Sequence, residues 1–139
     1  MGHLTSFGHG VADVSPDVFD VGADYPSAGI ETARRLVADP ASIGVVIGGS
    51  GNGEQISANE VAGYWAALAW STESARLVRA HHDAQVIGVG ARMHGPDGVA
   101  QIGEAFLALP LSGGERHARQ TRMISDFEAT GDAPLIFAG

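Results

Sequence analysis

Glu54 closes the run Gly48-Gly49-Ser50-Gly51-Asn52-Gly53-Glu54, in which four glycines fall within six residues ahead of the carboxylate. Glycines let the backbone turn sharply, approach a ligand closely and aim successive N–H groups at one point. The apolar, β-branched run Val45-Val46-Ile47 leads into the loop, and a helix-forming stretch from Gln55 to Val61 leaves it. The N-terminal end of that helix adds positive character. Such a loop can hold a phosphate or a developing oxyanion, with Ser50 and Asn52 beside it and Glu54 placed to act as a base. The combination points to carbanion or enolate chemistry more than to nucleotide binding. On the residues alone, Glu54 reads equally as a carboxylate that stabilises a helix start. A ligand-free βα turn is the other plain reading, although a turn needs fewer glycines.

The common nucleotide loops do not fit. A Walker loop ends in Gly-Lys-Ser/Thr, and here Glu54 follows Gly53. In a dinucleotide fingerprint the third glycine would fall where Glu54 stands, so that motif is incomplete.

The elements that must position the loop can be read from punctuation and periodicity. Residues 10–14 read as a short strand, and 15–26, with Pro16, Gly22 and Pro26, as a loop. Ser27 to Ala38 has apolar residues at helical spacing, with Ser27 as cap, and Asp39-Pro40 ends it. Ile43 to Ile47 is a buried strand, and Gln55 to Glu60 a short helix closed by Gly63. Ala66 to Trp70 is the next strand, followed by a helix capped by Ser71 or Thr72 that runs to about His82. Val86 to Val89 is a further strand, Pro96 opens a helix to about Leu109, and Glu115 to Thr130 forms a last amphipathic helix before a tail from 131. Strands alternating with helices predict an α/β fold with a parallel sheet, in one domain over 1–139. Ligands of such sheets sit at the C-terminal ends of strands, where the Gly48 loop, Ser71 and Arg92 fall.

Composition narrows the function. The chain has 139 residues, enough for one core, and no cysteine, which excludes disulfides, thiolate metal sites and a thiol nucleophile. A net charge of −8 argues against a general nucleic-acid surface. No apolar run reaches membrane-spanning length, and the N-terminus lacks the order of a signal peptide, so a soluble cytoplasmic protein is expected.

Beyond these readings, the residues resemble a known family. Gly48 to Asn59, with the sequence Gly-Gly-Ser-Gly-Asn-Gly-Glu-Gln-Ile-Ser-Ala-Asn, is similar to the catalytic loop of the ribose-5-phosphate isomerase B / galactose-6-phosphate isomerase family, in its actinobacterial form. The likeness continues through Asp24-Tyr25-Pro26, Ala66 to Trp70, Ser74-Ala75-Arg76, His81 to Gln85, Gly90 to His94 and Glu115 to Arg119, nearly the whole chain. The resemblance implies a Rossmann-like three-layer α/β/α fold and an aldose–ketose isomerase of the pentose phosphate pathway. It would interconvert ribose 5-phosphate and ribulose 5-phosphate through an enediolate, without cofactor or metal. One branch of the family uses a cysteine base at the strand end. This chain has Gly48 there and Glu54 six residues on, which matches the glutamate-base branch.

By resemblance, Glu54 is the base, Ser50 bonds the oxygen at C1 or C2, and His81 helps to open the sugar ring. The backbone from Gly49 through Gly51 and Asn52 to Gly53 holds the enediolate. Tyr25 packs on the sugar or lines the pocket, with a core tyrosine as the alternative. Arg92 and Arg116 bind the phosphate. His82 stands where the family usually has asparagine, and Gln120 where it commonly has a second phosphate-binding arginine. His117 is a weaker candidate near the phosphate. The resemblance further implies a homodimer or homotetramer in which His81 and Arg92 face the partner's loop. A non-catalytic paralogue that binds a phosphorylated sugar, or one specific for a four- or six-carbon sugar phosphate, is the alternative.

Against the family pattern, the chain starts at about the end of the first helix, without the strand ending in Asp-His that precedes it. In a 2-1-3-4-5 order that strand would lie between strands 10–14 and 43–47, and 66–70 would lie between 43–47 and 86–89. The edges of 10–14 and 43–47 are then expected to lack their shared neighbour.

Overall fold

The β-branched run expected at 43–47 forms a strand, and three such strands build a parallel sheet. A computed structural model describes residues 2–15, 22–110 and 112–135. Residues 16–21 of the expected loop, residue 111 and the tail beyond 135 lie outside the described residues. The elements are α1 (Gly2–Ser6), α2 (Pro26–Ala38), β1 (Gly44–Gly48), α3 (Asn52–Asn59), β2 (Ala66–Leu68), α4 (Thr72–His82), β3 (Val86–Gly90), α5 (Pro96–Leu107) and α6 (Glu115–Thr130). The expected α/β class holds, and the ranges of α2, α4 and α5 hold to within about two residues and α6 to the residue, whereas α3 starts earlier than expected.

Helices cover both faces of the sheet. Alternate residues of β3 serve opposite cores, as the period of two in a strand requires. Ile87 and Val89 pack with Ala75, Ile102, Ala105 and Phe106 from α4 and α5. On the other face Val86 packs with Val46, Ala33 and Leu36 of α2 and Ala58 of α3. All five β3 residues are buried, as befits the central strand.

That central place corrects the expected strand order. The sheet runs β1-β3-β2, so 86–90 lies between 44–48 and 66–68 instead of at the edge. Gly88 gives a physical reason. A Cβ there would lie 2.6 Å from the Gly51 carbonyl and 2.9 Å from Gln55, so the glycine loop can press onto β3 only where a side chain is missing. The outer edge of β2 is closed by side chains in place of a strand. Asn59 accepts from the Ala66 N–H and donates to its carbonyl, both at 2.8 Å, and Gln55 adds a donor at 2.9 Å.

The strand expected at 10–14 does not form. Among the described residues, 10–15 belong to no strand or helix. Among the described residues no strand lies between this segment and β1, and a five-residue segment without a pairing neighbour cannot hold a ladder. A cleft of about 760 Å³ separates them, lined by His9 to Ser15 on one side and Ser42 to Ile47 on the other. The outer edge of β1 faces it, as expected for a strand without its neighbour on that side.

Candidate active site

The loop after β1 owes its shape to Gly51. This residue is the N-cap of α3 at φ +82°, a left-handed conformation, and a Cβ on it would lie 2.8 Å from the Val89 backbone. With Gly51 turned this way, α3 starts at Asn52, three residues before the expected Gln55. Gly53 and Glu54 therefore lie in its first turn instead of ahead of it. The backbone of the segment after β3 fastens the loop from the other side. The Ala91 N–H donates to the Gly48 carbonyl at 2.8 Å and the Arg92 N–H to the Gly49 carbonyl at 3.0 Å.

Three side chains stand over the glycines. The Glu54 carboxylate occupies the space a side chain at Gly48 would take, 1.7 Å from where its Cβ would be. The Arg92 guanidinium lies over Gly49, at 3.2–3.3 Å by the same measure, and the Tyr25 ring over Gly53 at 2.6 Å. Tyr25 is 54% exposed and is therefore not a core tyrosine. Ser50 accepts from the Asn52 N–H at 3.3 Å and from its side-chain amide at 3.1 Å. Both contacts use the oxygen of the hydroxyl, which keeps its own proton as a donor. Ser50 and Asn52 line a cavity of about 240 Å³ with Trp70, Met93 and His94, whereas Glu54 lines the larger cleft beside β1.

A second cluster forms where α4 meets α6. His81 stacks on His117 with ring centroids 4.1 Å apart and planes 30° apart, and His82 stands edge-on to His81 at 6.3 Å. Ser112 joins both helices, donating its N–H to the Ala80 carbonyl at 2.9 Å and placing its hydroxyl 3.2 Å from His117 Nδ1. Partial burial pushes the His117 pKa below the ordinary histidine value, and the positive potential of His81, Arg116 and His82 lowers it further. Arg116 and Gln120, one turn apart at the start of α6, are exposed.

The two clusters lie at opposite ends of the sheet. The strands are parallel. Helix α4 leaves the C-terminal end of β2 at Ser71 and returns to the N-terminal end of β3, so His81 and His82 are carried away from the loop. The chain therefore brings together Tyr25, Gly49, Ser50, Gly51, Asn52, Gly53, Glu54 and Arg92. It does not bring His81, His82, Arg116 or Gln120 to them. Arg92 stands over the loop of its own chain, where the resemblance had it facing a partner's. The loop end offers backbone N–H groups, a guanidinium and a carboxylate, the components of proton transfer next to an anion. Trp70, Met93, His94 and Ser112 belong to these sites without having stood out in the sequence. The 90–94 motif pointed toward Met93 and His94, but no spacing rule links Ser112 to the end of α4.

The family model described as ribose/galactose isomerase matches residues 1–124. A Mycobacterium leprae protein named ribose-5-phosphate isomerase B is 48% identical over 134 residues, covering 96% of this chain and 83% of the relative. The solved structure of ribose-5-phosphate isomerase B from Mycoplasma genitalium with bound ribulose 5-phosphate superposes with a TM-score of 0.87 at 32% identity, covering 93% of this chain and 85% of that one. The Clostridium thermocellum ribose-5-phosphate isomerase B structure gives 0.87 at 31% identity, covering 94% and 87%.

Proposed function

The chain belongs to the ribose/galactose isomerase family, and on that premise we propose that it interconverts ribose 5-phosphate and ribulose 5-phosphate in the cytoplasm, with Glu54 as the base. The observation that carries this reading is the Glu54 carboxylate seated over Gly48 beside a loop of converging backbone N–H groups, with the Arg92 guanidinium over Gly49. Glu54 takes the proton from C2 of the open-chain aldose. The C–H electron pair becomes the C1–C2 double bond, and the carbonyl pair moves onto O1. Loop N–H groups stabilise the enediolate and Ser50 bonds its oxygen; the double-bond pair takes the proton back at C1 while the O2 proton passes to O1, leaving the carbonyl at C2 and a hydroxyl at C1. Arg92 and Arg116 neutralise the phosphate, with Gln120 as an uncharged donor, and Tyr25 packs on the sugar.

The active site is shared in a homodimer, or in a homotetramer built from such dimers. Support comes from the separation of the clusters: one chain holds Glu54 and His81 at opposite ends of its sheet, and a second copy can bring His81, His82 and Arg116 to the loop of the first. The exposed surface agrees. Helix α6 has no buried residue, and Met123, Ile124 and Phe127 are 41%, 48% and 49% exposed along it.

Mixing Glu54→Gln and His81→Asn chains tests the base, the acid and the sharing together. Each variant alone should be inactive. After subunit exchange, each heterodimer regains one intact site, so the mixture should recover about one quarter of wild-type activity, since half the dimers are mixed and half their sites intact. No recovery from two inactive but dimeric variants would sink the shared site. A second reading, a binding paralogue for a phosphorylated sugar, draws on Gln120 in place of an arginine. It would be favoured if ribose 5-phosphate raised Tm while the wild-type chain showed no turnover.

A further inference from the structure

The contacts around Ser112 reach beyond those roles. Its N–H closes the end of α4 at Ala80, its hydroxyl meets His117 Nδ1, and the His117 ring covers the His81 ring. The links run from the Ala80 carbonyl on the α4 backbone through Ser112 and His117 to His81, the next residue along the helix. We propose that Ser112 and His117 form a clasp that fixes the orientation of the His81 imidazole, which makes His117 a positioning residue for the ring-opening histidine. This rests on the reading of His81 given above.

The physics favours such a clasp. An imidazole on the last turn of a helix can exchange between staggered χ1 rotamers and a broad range of χ2 unless a neighbour restricts it. A ring stacked at 4.1 Å and 30° leaves His81 one face covered and restricts the direction in which its nitrogens point. His117 is itself tethered by Ser112, so the restraint does not depend on a second mobile side chain. Partial burial first, and then the positive neighbours His81, Arg116 and His82, favour the neutral form of the His117 ring, so the stack on His81 forms without a charge on His117. Orientation matters because a proton must be delivered along a narrow approach to the ring oxygen.

Substitution with two readouts tests the clasp. In the full-length protein, His117→Ala should shift the His81 imidazole resonances in long-range proton–nitrogen NMR spectra. It should lower kcat about ten-fold with KM nearly unchanged, the pattern of lost positioning without lost binding. His117→Phe keeps a stacking ring and should restore most of both, and Ser112→Ala should fall between. Unchanged His81 resonances in a folded His117→Ala protein would overturn the clasp. Full kcat in His117→Ala beside an inactive His81→Asn would overturn it as well. If His81→Asn keeps full turnover, the role of His81 itself fails, and that result is separable because the NMR shift in His117→Ala would still appear.

Discussion

At the C-terminal end of the sheet the glycine loop is held by backbone: the Ala91 and Arg92 amides bond the Gly48 and Gly49 carbonyls at 2.8 and 3.0 Å, and Gly51 lies against the Val89 main chain. At the N-terminal end the histidines are held by ring stacking and by one serine, whose hydroxyl meets His117 and whose N–H donates to the end of α4. The difference bears on what each end can do. A backbone-built loop is organised before any ligand arrives and supplies the fixed N–H groups that charge development needs. A side-chain cluster on exposed helix ends depends on the contacts of single side chains and answers to protonation. Among the described residues, neither end alone holds all the groups that the proposed isomerisation uses.

The comparison is sharpest at the loop, where Glu54→Gln changes one atom pair and keeps the shape. Turnover should fall about a thousand-fold, within the range of a lost general base. Circular dichroism and the affinity for ribose 5-phosphate should stay close to wild type. Equal losses of binding and turnover would make Glu54 a structural carboxylate at the start of α3.

Gly51→Ala attacks the backbone itself. The alanine must hold a φ of +82° and place its Cβ 2.8 Å from the Val89 carbonyl carbon, so the loop must move. Stability should drop by about 1–3 kcal/mol from the strained φ alone. The urea midpoint would report it, with an unchanged m-value showing that the same structure unfolds. A midpoint equal to wild type would mean that the loop is not fixed by its contact with β3, and the contrast between the two ends would fail.

How far the sequence could be read follows the same division between local and distant effects. Helices α2, α5 and α6 announce themselves through apolar spacing, with Pro96 at the start of α5 and Asp39 or Gly131 past the ends of α2 and α6, which are properties of adjacent residues. Pro26, expected in the loop, is instead the first residue of α2, and Tyr25, not Ser27, is its N-cap. The glycine loop and the Glu54 position were legible for the same reason. The early start of α3 was not, because it depends on a left-handed Gly51 that only its contact with Val89 requires. Strand order was not legible either. The place of β3 between β1 and β2 is set by which strand has glycines under the loop, a contact between segments about 35 residues apart. The run at 10–14 has strand composition but no pairing neighbour, and composition cannot supply one. At the other end, His81 and Arg116 stood out through the resemblance. The stack on His117 and the bridge through Ser112 join residues 36 and 31 positions apart from His81, with no periodicity between them.

The smallest expected effect belongs to the side-chain cluster. The His117 pKa is lowered in the folded chain, first by partial burial and then by the positive neighbours His81, Arg116 and His82. The unfolded chain returns it to about 6.5. Between the lowered value and the unfolded one, the unfolded chain binds more protons than the native chain, so stability rises with pH across that window. The contribution is fully present above the unfolded pKa and is lost as pH falls toward the folded one. Urea midpoints at pH 7.5 and pH 5.5 should therefore fall for the wild type, and His117→Phe, which stacks without titrating, should show a smaller fall. The two proteins differ only at residue 117, so the difference between the two slopes reports that residue. Identical slopes would mean that His117 takes up its proton as readily in the folded chain as in the unfolded one, and the cluster would then be held by contact alone, without the sensitivity to protonation that sets it apart from the glycine loop.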